Sequence, residues 1–313
     1  MVEQAAGNVG SHIVRALITG NKHNITVITR SGSSATFPEN VRRQSVDYSS
    51  HESLVNTLRG QQVLILTIST SAPQDTQQKL ISAAKEAGVQ WILPSEYGTD
   101  HTDRPDVGAE TRLGPPALAI RKIIIEAGLS FVSISCGMWY EYAFGDPTRL
   151  GLNLKKREIT MYGEGSTQVT TSTWAQCGRA VSALLSLPIE SEGTQRDLTT
   201  LSQFRNTSAY IGSFYVSQKE IFASVLRSTG TSEADWTVQY EPVEERYQRG
   251  NKMLAGGDRW GFSVALYARL FYPDGACDLQ TKLVNDALGF PKEDLDGATK
   301  EALEMVESVE FGF

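Results

Sequence analysis

The sequence predicts an α/β fold: a doubly wound, mostly parallel sheet followed by a smaller C-terminal α+β lobe. Three observations carry this expectation. Short β-branched runs alternate with helical patterns through the first half of the chain. A glycine turn, Gly7-Asn8-Val9-Gly10, leads straight into the first helical pattern. Beyond Gly137 the alternation weakens and aromatic residues crowd the chain. Alternating strands and helices build a parallel sheet, because each crossover helix must cover one of its faces.

The elements follow in order. Val9, Ile13, Ala16 and Leu17 share one helical face, and Gly20 is a plausible stop. Ile25-Thr26-Val27-Ile28 reads as the next strand, with a shorter one near Arg43–Val46. A helix is expected at about Ser50–Leu58, with Ser49 and Glu52 as its capping box. Then come a strand at Val63–Ile68, a helix near Pro73–Ala87 and a strand at Trp91–Leu93. A helix near Pro116–Ala127 and a strand at Phe131–Ser135 complete the first half, with Gly88 and Gly128 where helix C-caps belong. In the second half a strand at Glu158–Met161 and a helix at Ala175–Leu187 could return to the sheet. Ser217 and Glu220 form a capping box for a helix to about Leu226. The expected domains are 1–137 and 138–313, with elements of the second returning to the first.

Composition narrows the function. The 313 residues carry 29 basic and 36 acidic side chains, a formal charge of −7, and three cysteines. Such a chain lacks the field that attracts nucleic acid or anionic membrane. Three isolated cysteines do not staple a secreted fold. No apolar run approaches the roughly 18 residues of a membrane span, and no signal peptide is evident. The histidines have no metal-type spacing, and no G-x-S-x-G elbow is present. The expectation is a cytoplasmic monomer or homodimer with a small-molecule substrate, no nucleic-acid partner, no membrane and no metal.

The glycine turn is the chemical core of the reading. A glycine turn at a helix N-terminus presents backbone N–H groups and the helix dipole to a pyrophosphate, so Gly7, Asn8, Val9 and Gly10 become candidate cofactor contacts. The sheet is then of Rossmann type. The second strand ends in Thr29-Arg30-Ser31; an acid there would hold the ribose 2′-OH of NAD, whereas Arg30 suits the 2′-phosphate of NADP. Asp47-Tyr48 could border the adenine or form a plain turn. Ser69 and Ser95, beyond the fourth and fifth strands, complete the candidate cofactor set. Only Met1, Val2 and Glu3 precede the turn, so the first strand is expected to be truncated; a start upstream of Met1 or a damaged cofactor site would each account for it.

These residues resemble a known family. Gly7-Asn8-Val9-Gly10-Ser11-His12, Thr29-Arg30, Pro94-Ser95-Glu96-Tyr97-Gly98-Thr99-Asp100-His101 and Cys136-Gly137-Met138-Trp139-Tyr140-Glu141 are similar to fungal NmrA-like proteins, relatives of isoflavone reductase among the atypical short-chain dehydrogenases. Ser172–Arg179 and Phe271–Gly275 extend the resemblance over nearly the whole chain. It implies an NADP-dependent oxidoreductase, with the aromatic second lobe covering a small aromatic or polyketide-like substrate. Two positions depart from the family pattern. Gln4 stands where members carry the first glycine of G-A-T-G-x-x-G, and Ala117 stands where the isoflavone-reductase branch carries a catalytic lysine. Lys122 lies five residues on, about 140° around the helix, and points elsewhere. His101 is a candidate to handle the proton instead, and Tyr97 and Tyr140 could donate a phenolic proton or line an aromatic pocket, with Glu96 and Glu141 as orienting or structural carboxylates. The departures also leave open a redox-neutral isomerase, cyclase or lyase, or a dinucleotide-sensing regulatory protein.

Overall fold

A computed structural model describes residues 1–69, 72–100, 102–191 and 198–308. Its first half runs β1 (Val2–Glu3), α1 (Asn8–Gly20), β2 (Thr26–Arg30), β3 (Arg42–Val46), α2 (His51–Leu58), β4 (Val63–Ile65), α3 (Thr76–Ala87) and β5 (Trp91–Leu93). Then follow α4 (Pro105–Thr111), α5 (Gly114–Glu126) and β6 (Ser130–Ser135). The second half runs β7 (Met138–Trp139), α6 (Tyr140–Phe144), α7 (Pro147–Leu150), β8 (Leu152–Asn153), β9 (Glu158–Tyr162), β10 (Gln168–Ser172) and α8 (Trp174–Leu185). It ends with β11 (Thr207–Tyr210), β12 (Phe214–Ser217), α9 (Gln218–Thr229), β13 (Thr237–Glu241), α10 (Val243–Ala255), α11 (Trp260–Leu270) and α12 (Leu295–Ser308).

Among the described residues the main sheet has seven parallel strands in the order β11-β6-β5-β4-β1-β2-β3. Side chains alternate across each strand, so neighbours face opposite layers. Val27 packs with Val2, Ile13 and Leu17 under α1 and α8, whereas Ile28 packs with Leu54, Leu58 and Leu80 under α2 and α3. This two-faced burial is the doubly wound arrangement. β1 is indeed short, but it lies at the centre: Val2 pairs with both Val27 and Ile65, and Glu3 pairs with Ile28.

Several boundaries move for local reasons. α1 passes through Gly20 and stops at Asn21, whose φ of 48° supplies the left-handed cap. α2 is capped by Ser50, which accepts from Ser53 N at 3.2 Å, and not by Ser49. Ser49 instead donates through N and Oγ to Asp47 Oδ1 at 2.8 and 2.6 Å. α4, with Pro105 in its first turn, has no counterpart in the sequence reading. The Ser217–Glu220 capping box forms as expected.

Of the two elements expected to return to the sheet, the strand does not: β9 pairs with β8 and β13 in an outer sheet, and it is β11, absent from the sequence reading, that joins the main sheet beside β6. The helix does return: α8 lies along α1. A Cβ on Gly178 would fall 2.4 Å from the His12 carbonyl oxygen, so only glycine permits this helix contact. Two three-stranded sheets, β12-β10-β7 and β13-β9-β8, build the outer lobe around Tyr140, Phe144, Tyr162 and Phe271.

Candidate functional site

The carboxyl ends of β1, β2, β4, β5 and β6 converge where open α/β sheets bind ligands. The glycine turn closes on itself through Gly7 N, which donates to Gln4 O at 2.9 Å. A Cβ on Gly10 would meet Gln4 O at 2.5 Å and Thr67 Oγ1 at 2.9 Å, so α1 starts in close contact with the strand ends. Its first N–H groups have no acceptor one turn earlier and face outward. The turn therefore has the cradle that a pyrophosphate requires.

Gln4 reshapes the cradle. Its φ is +46°, the left-handed conformation that glycine adopts freely and glutamine does not. Its side chain crosses to the end of β4, where Oε1 accepts from Ser69 N at 2.7 Å. Ser95 joins the same group: its Oγ accepts from Ile68 N at 3.0 Å, and its N donates to Gln77 Oε1 at 3.1 Å. The structure thus brings Gln4, Ser69 and Ser95 together beside the glycine turn.

Arg30 lies exposed at the end of β2. Arg43, which sequence reasoning missed, reaches the loop after β2: Nε donates to Thr29 Oγ1 at 3.4 Å, and its terminal nitrogen donates to Ser33 O. Pairing of β2 with β3 is what brings this second guanidinium to the rim. Asp47 has its carboxylate taken up by Ser49, which makes it a turn residue. Tyr48 turns inward and donates to Glu3 Oε1 at 3.0 Å.

The proton-handling candidates separate. His101 lies outside the described residues. Tyr97 is buried, with its hydroxyl unpartnered near Cys136 and Cys177, and burial pushes its pKa well up. Tyr140 is fully buried in the outer lobe, where its hydroxyl bonds Thr299 Oγ1 at 2.6 Å. Its assignment as a proton donor is corrected: the ring packs on Phe144 and Phe214, and the hydroxyl is spent on α12. Tyr97 likewise is a core residue under the site and not part of its surface.

Glu96 is structural. Arg121 Nε donates to Glu96 Oε2 at 2.8 Å, and Arg121 also pairs with Asp100 Oδ2 at 3.1 Å. Ser133 donates to Glu96, and Ser208 donates to Asp100. Burial opposes ionisation of both acids. At Asp100 the Ser208 hydroxyl and Arg121 outweigh it and lower the pKa; at Glu96 burial wins. This network ties the segment after β5 to β6, α5 and β11. Lys122 is exposed and pairs with Glu126 at 3.7 Å, pointing away from the position of the family lysine as expected.

An aromatic group stands beside the turn. Trp139 meets Tyr142 edge-on at 5.7 Å and Trp174 at 6.2 Å, and His12 lies 6.1 Å from Trp174. Burial, then Arg15 and Arg179, lower the His12 pKa, so its ring is neutral near pH 7. Glu141 underlies the group: both carboxylate oxygens accept from Trp174 N, at 3.0 and 3.1 Å, and burial raises its pKa to about 7. Among the described residues no group of three or more His, Cys, Asp or Glu is arranged to hold a metal, and no helix is long and apolar enough to cross a membrane.

The fold and the glycine turn define a Rossmann-type α/β protein. The match to a family model over residues 1–168 is specific: the chain belongs to the NmrA-like family. It is 28% identical over 307 residues to oxidoreductase aprR of Aspergillus flavus, covering 95% of each chain. It is 30% identical over 186 residues to the bifunctional pinoresinol-lariciresinol reductase of Linum usitatissimum, covering 54% of this chain and 59% of that one. Its fold also matches the solved structure of AtPrR2 with NADP+ and (+)pinoresinol, with a TM-score of 0.65, 20% identity, and coverage of 99% of this chain and 96% of that one.

Proposed function

We propose that the protein is an NADP(H)-dependent reductase acting on a small aromatic or polyketide-like metabolite. The observation that carries the reading is the glycine turn at the carboxyl edge of the central strands, with Arg30 and Arg43 at the rim beside it. The relatives named as oxidoreductases and reductases support the same reaction class.

The residues divide the work. The first-turn N–H groups of α1 would hold the pyrophosphate, and Arg30 with Arg43 the 2′-phosphate. The bound cofactor supplies or accepts a hydride. Trp139 and Tyr142, both half-buried, offer apolar ring surface to a flat substrate and keep water from the reacting carbon, with the buried Trp174 backing Trp139. His101 follows Asp100, which Arg121 and Ser208 anchor, and is assigned the proton step on sequence grounds.

Absorbance at 340 nm during incubation with NADPH and aromatic enones tests this; NADPH binding without turnover of any enone would remove the reductase reading. Gln4 supports a second reading, redox-neutral chemistry on the same fold, because it stands where the resembled family carries glycine and its side chain is tied to Ser69 N beside the glycine turn. Product formation by protein stripped of nucleotide would favour that alternative.

A further inference from the structure

Glu3 is the least expected residue of the central sheet. It sits at the carboxyl end of β1 with 1% of its surface exposed, on the face it shares with Ile28. Its Oε1 accepts from Tyr48, and its Oε2 is buried without a partner. An apolar side chain would satisfy this site at no electrostatic cost, whereas a buried carboxylate is expensive unless paired by a cation.

The topology places this carboxyl in the nucleotide half of the cleft. Glu3 immediately precedes Gln4, whose carbonyl closes the glycine turn. Thr67 Oγ1 donates to the carbonyls of both Glu3 and Gln4, and it lies next to Gly10. The bond from Glu3 to Tyr48 runs from β1 to the end of β3, passing the carboxyl end of β2 between them. That floor lies between the pyrophosphate cradle and Arg30, where the adenosine half of a dinucleotide lies in this fold.

Resting on the NADP(H) reading above, we infer that Glu3 couples nucleotide binding to proton uptake: the anionic dinucleotide binds the form of the protein in which Glu3 is neutral and Tyr48 still donates to it. In the neutral acid the proton occupies Oε2, the oxygen that makes no hydrogen bond, and Oε1 continues to accept from Tyr48. The ionised acid puts an uncompensated negative charge in the floor between the pyrophosphate and 2′-phosphate positions. The groups facing Glu3 are few. Tyr48, after β3, and the Thr67 amide, after β4, favour the ionised acid but do not outweigh burial, which raises its pKa to about 7. Arg30, at the end of β2, acts on Tyr48, and the first turn of α1 brings no acidic side chain.

Calorimetric titration with NADPH in two buffers of different ionisation enthalpy tests the coupling. For the wild-type chain the Kd is expected to weaken above neutral pH, approaching about tenfold per pH unit, with uptake of up to about one proton. Glu3→Gln, a permanently neutral replacement that can still accept from Tyr48, is expected to lose that slope and that uptake. Tyr48→Phe removes a bond that favours the ionised acid, so it is expected to shift the onset to higher pH; this variant keeps the test valid even if Glu3→Gln folds poorly. Titration of the nucleotide's own phosphate is common to all three proteins and cancels in the comparison. Binding with the same pH slope and proton uptake in all three overturns the coupling and leaves the cofactor reading standing. Absence of NADPH binding at every pH overturns both.

Discussion

Gln4 is held in a conformation that costs a non-glycine residue about 1–2 kcal/mol, and its side chain is tied to Ser69 N beside the proposed pyrophosphate site. Gln4→Gly removes both the strain and the side chain. NADPH affinity is expected to rise about fivefold, the worth of roughly one hydrogen bond, as read by calorimetry. Arg30 can be tested by selectivity. Arg30→Ala is expected to weaken NADPH about tenfold while leaving NADH nearly unchanged, since only NADPH carries the 2′-phosphate. His101 is tested by rate: His101→Ala is expected to lower kcat about a hundredfold or more with little change in KM, if it supplies the substrate proton. Neither Gln4→Gly nor Arg30→Ala removes a buried core contact described above, so their effects on folding should be small.

At the scale of elements, two junctions position the site. One is the parallel contact of α1 and α8, which sets Trp174 beside His12. Gly178→Ala would drive a methyl into the His12 carbonyl and separate the helices. The expected loss is about 1–3 kcal/mol, measured by chemical denaturation, with weaker substrate binding as the aromatic group shifts. The other junction is Arg121, which joins α5 to the segment after β5 and to β11. Arg121→Met leaves Glu96 and Asp100 buried without their cation. An unfolding free energy lower by about 3–5 kcal/mol is expected by the same measurement.

For the whole molecule, pH is the sharpest global probe. Burial raises both Glu3 and Glu141 to about 7 in the folded state. The unfolded chain titrates these groups near 4.3, so between that value and about 7 the folded state holds more protons. Stability is therefore expected to fall as pH rises through this window, and the deficit persists above it. Denaturation midpoints of Glu3→Gln and Glu141→Gln are expected to lose part of that decline.

Local signals carried much of this architecture. The alternation of β-branched runs and helical faces, the glycine turn, and Arg30 at a strand end were all readable, because each depends on residues close together in the chain. For Tyr140 and Tyr97 the sequence left proton donor and pocket wall both open, for the opposite reason. Their residue type is consistent with proton chemistry, but their fate depends on Thr299, and on Cys136 and Cys177, which folding brings to them from far along the chain. Arg43, the meeting of Trp174 with His12 and the Glu3–Tyr48 bond were invisible for the same reason, since strand order and helix packing determine who meets whom. Periodicity and turn chemistry identified the fold class and the glycine turn at the start of α1. Long-range pairing determined which acids are buried, which hydroxyls are spent, and how Gln4 and Glu3 are arranged around that turn. The physical reason is that burial and partnership, which set a side chain's chemistry, are properties of neighbours that sequence distance does not reveal.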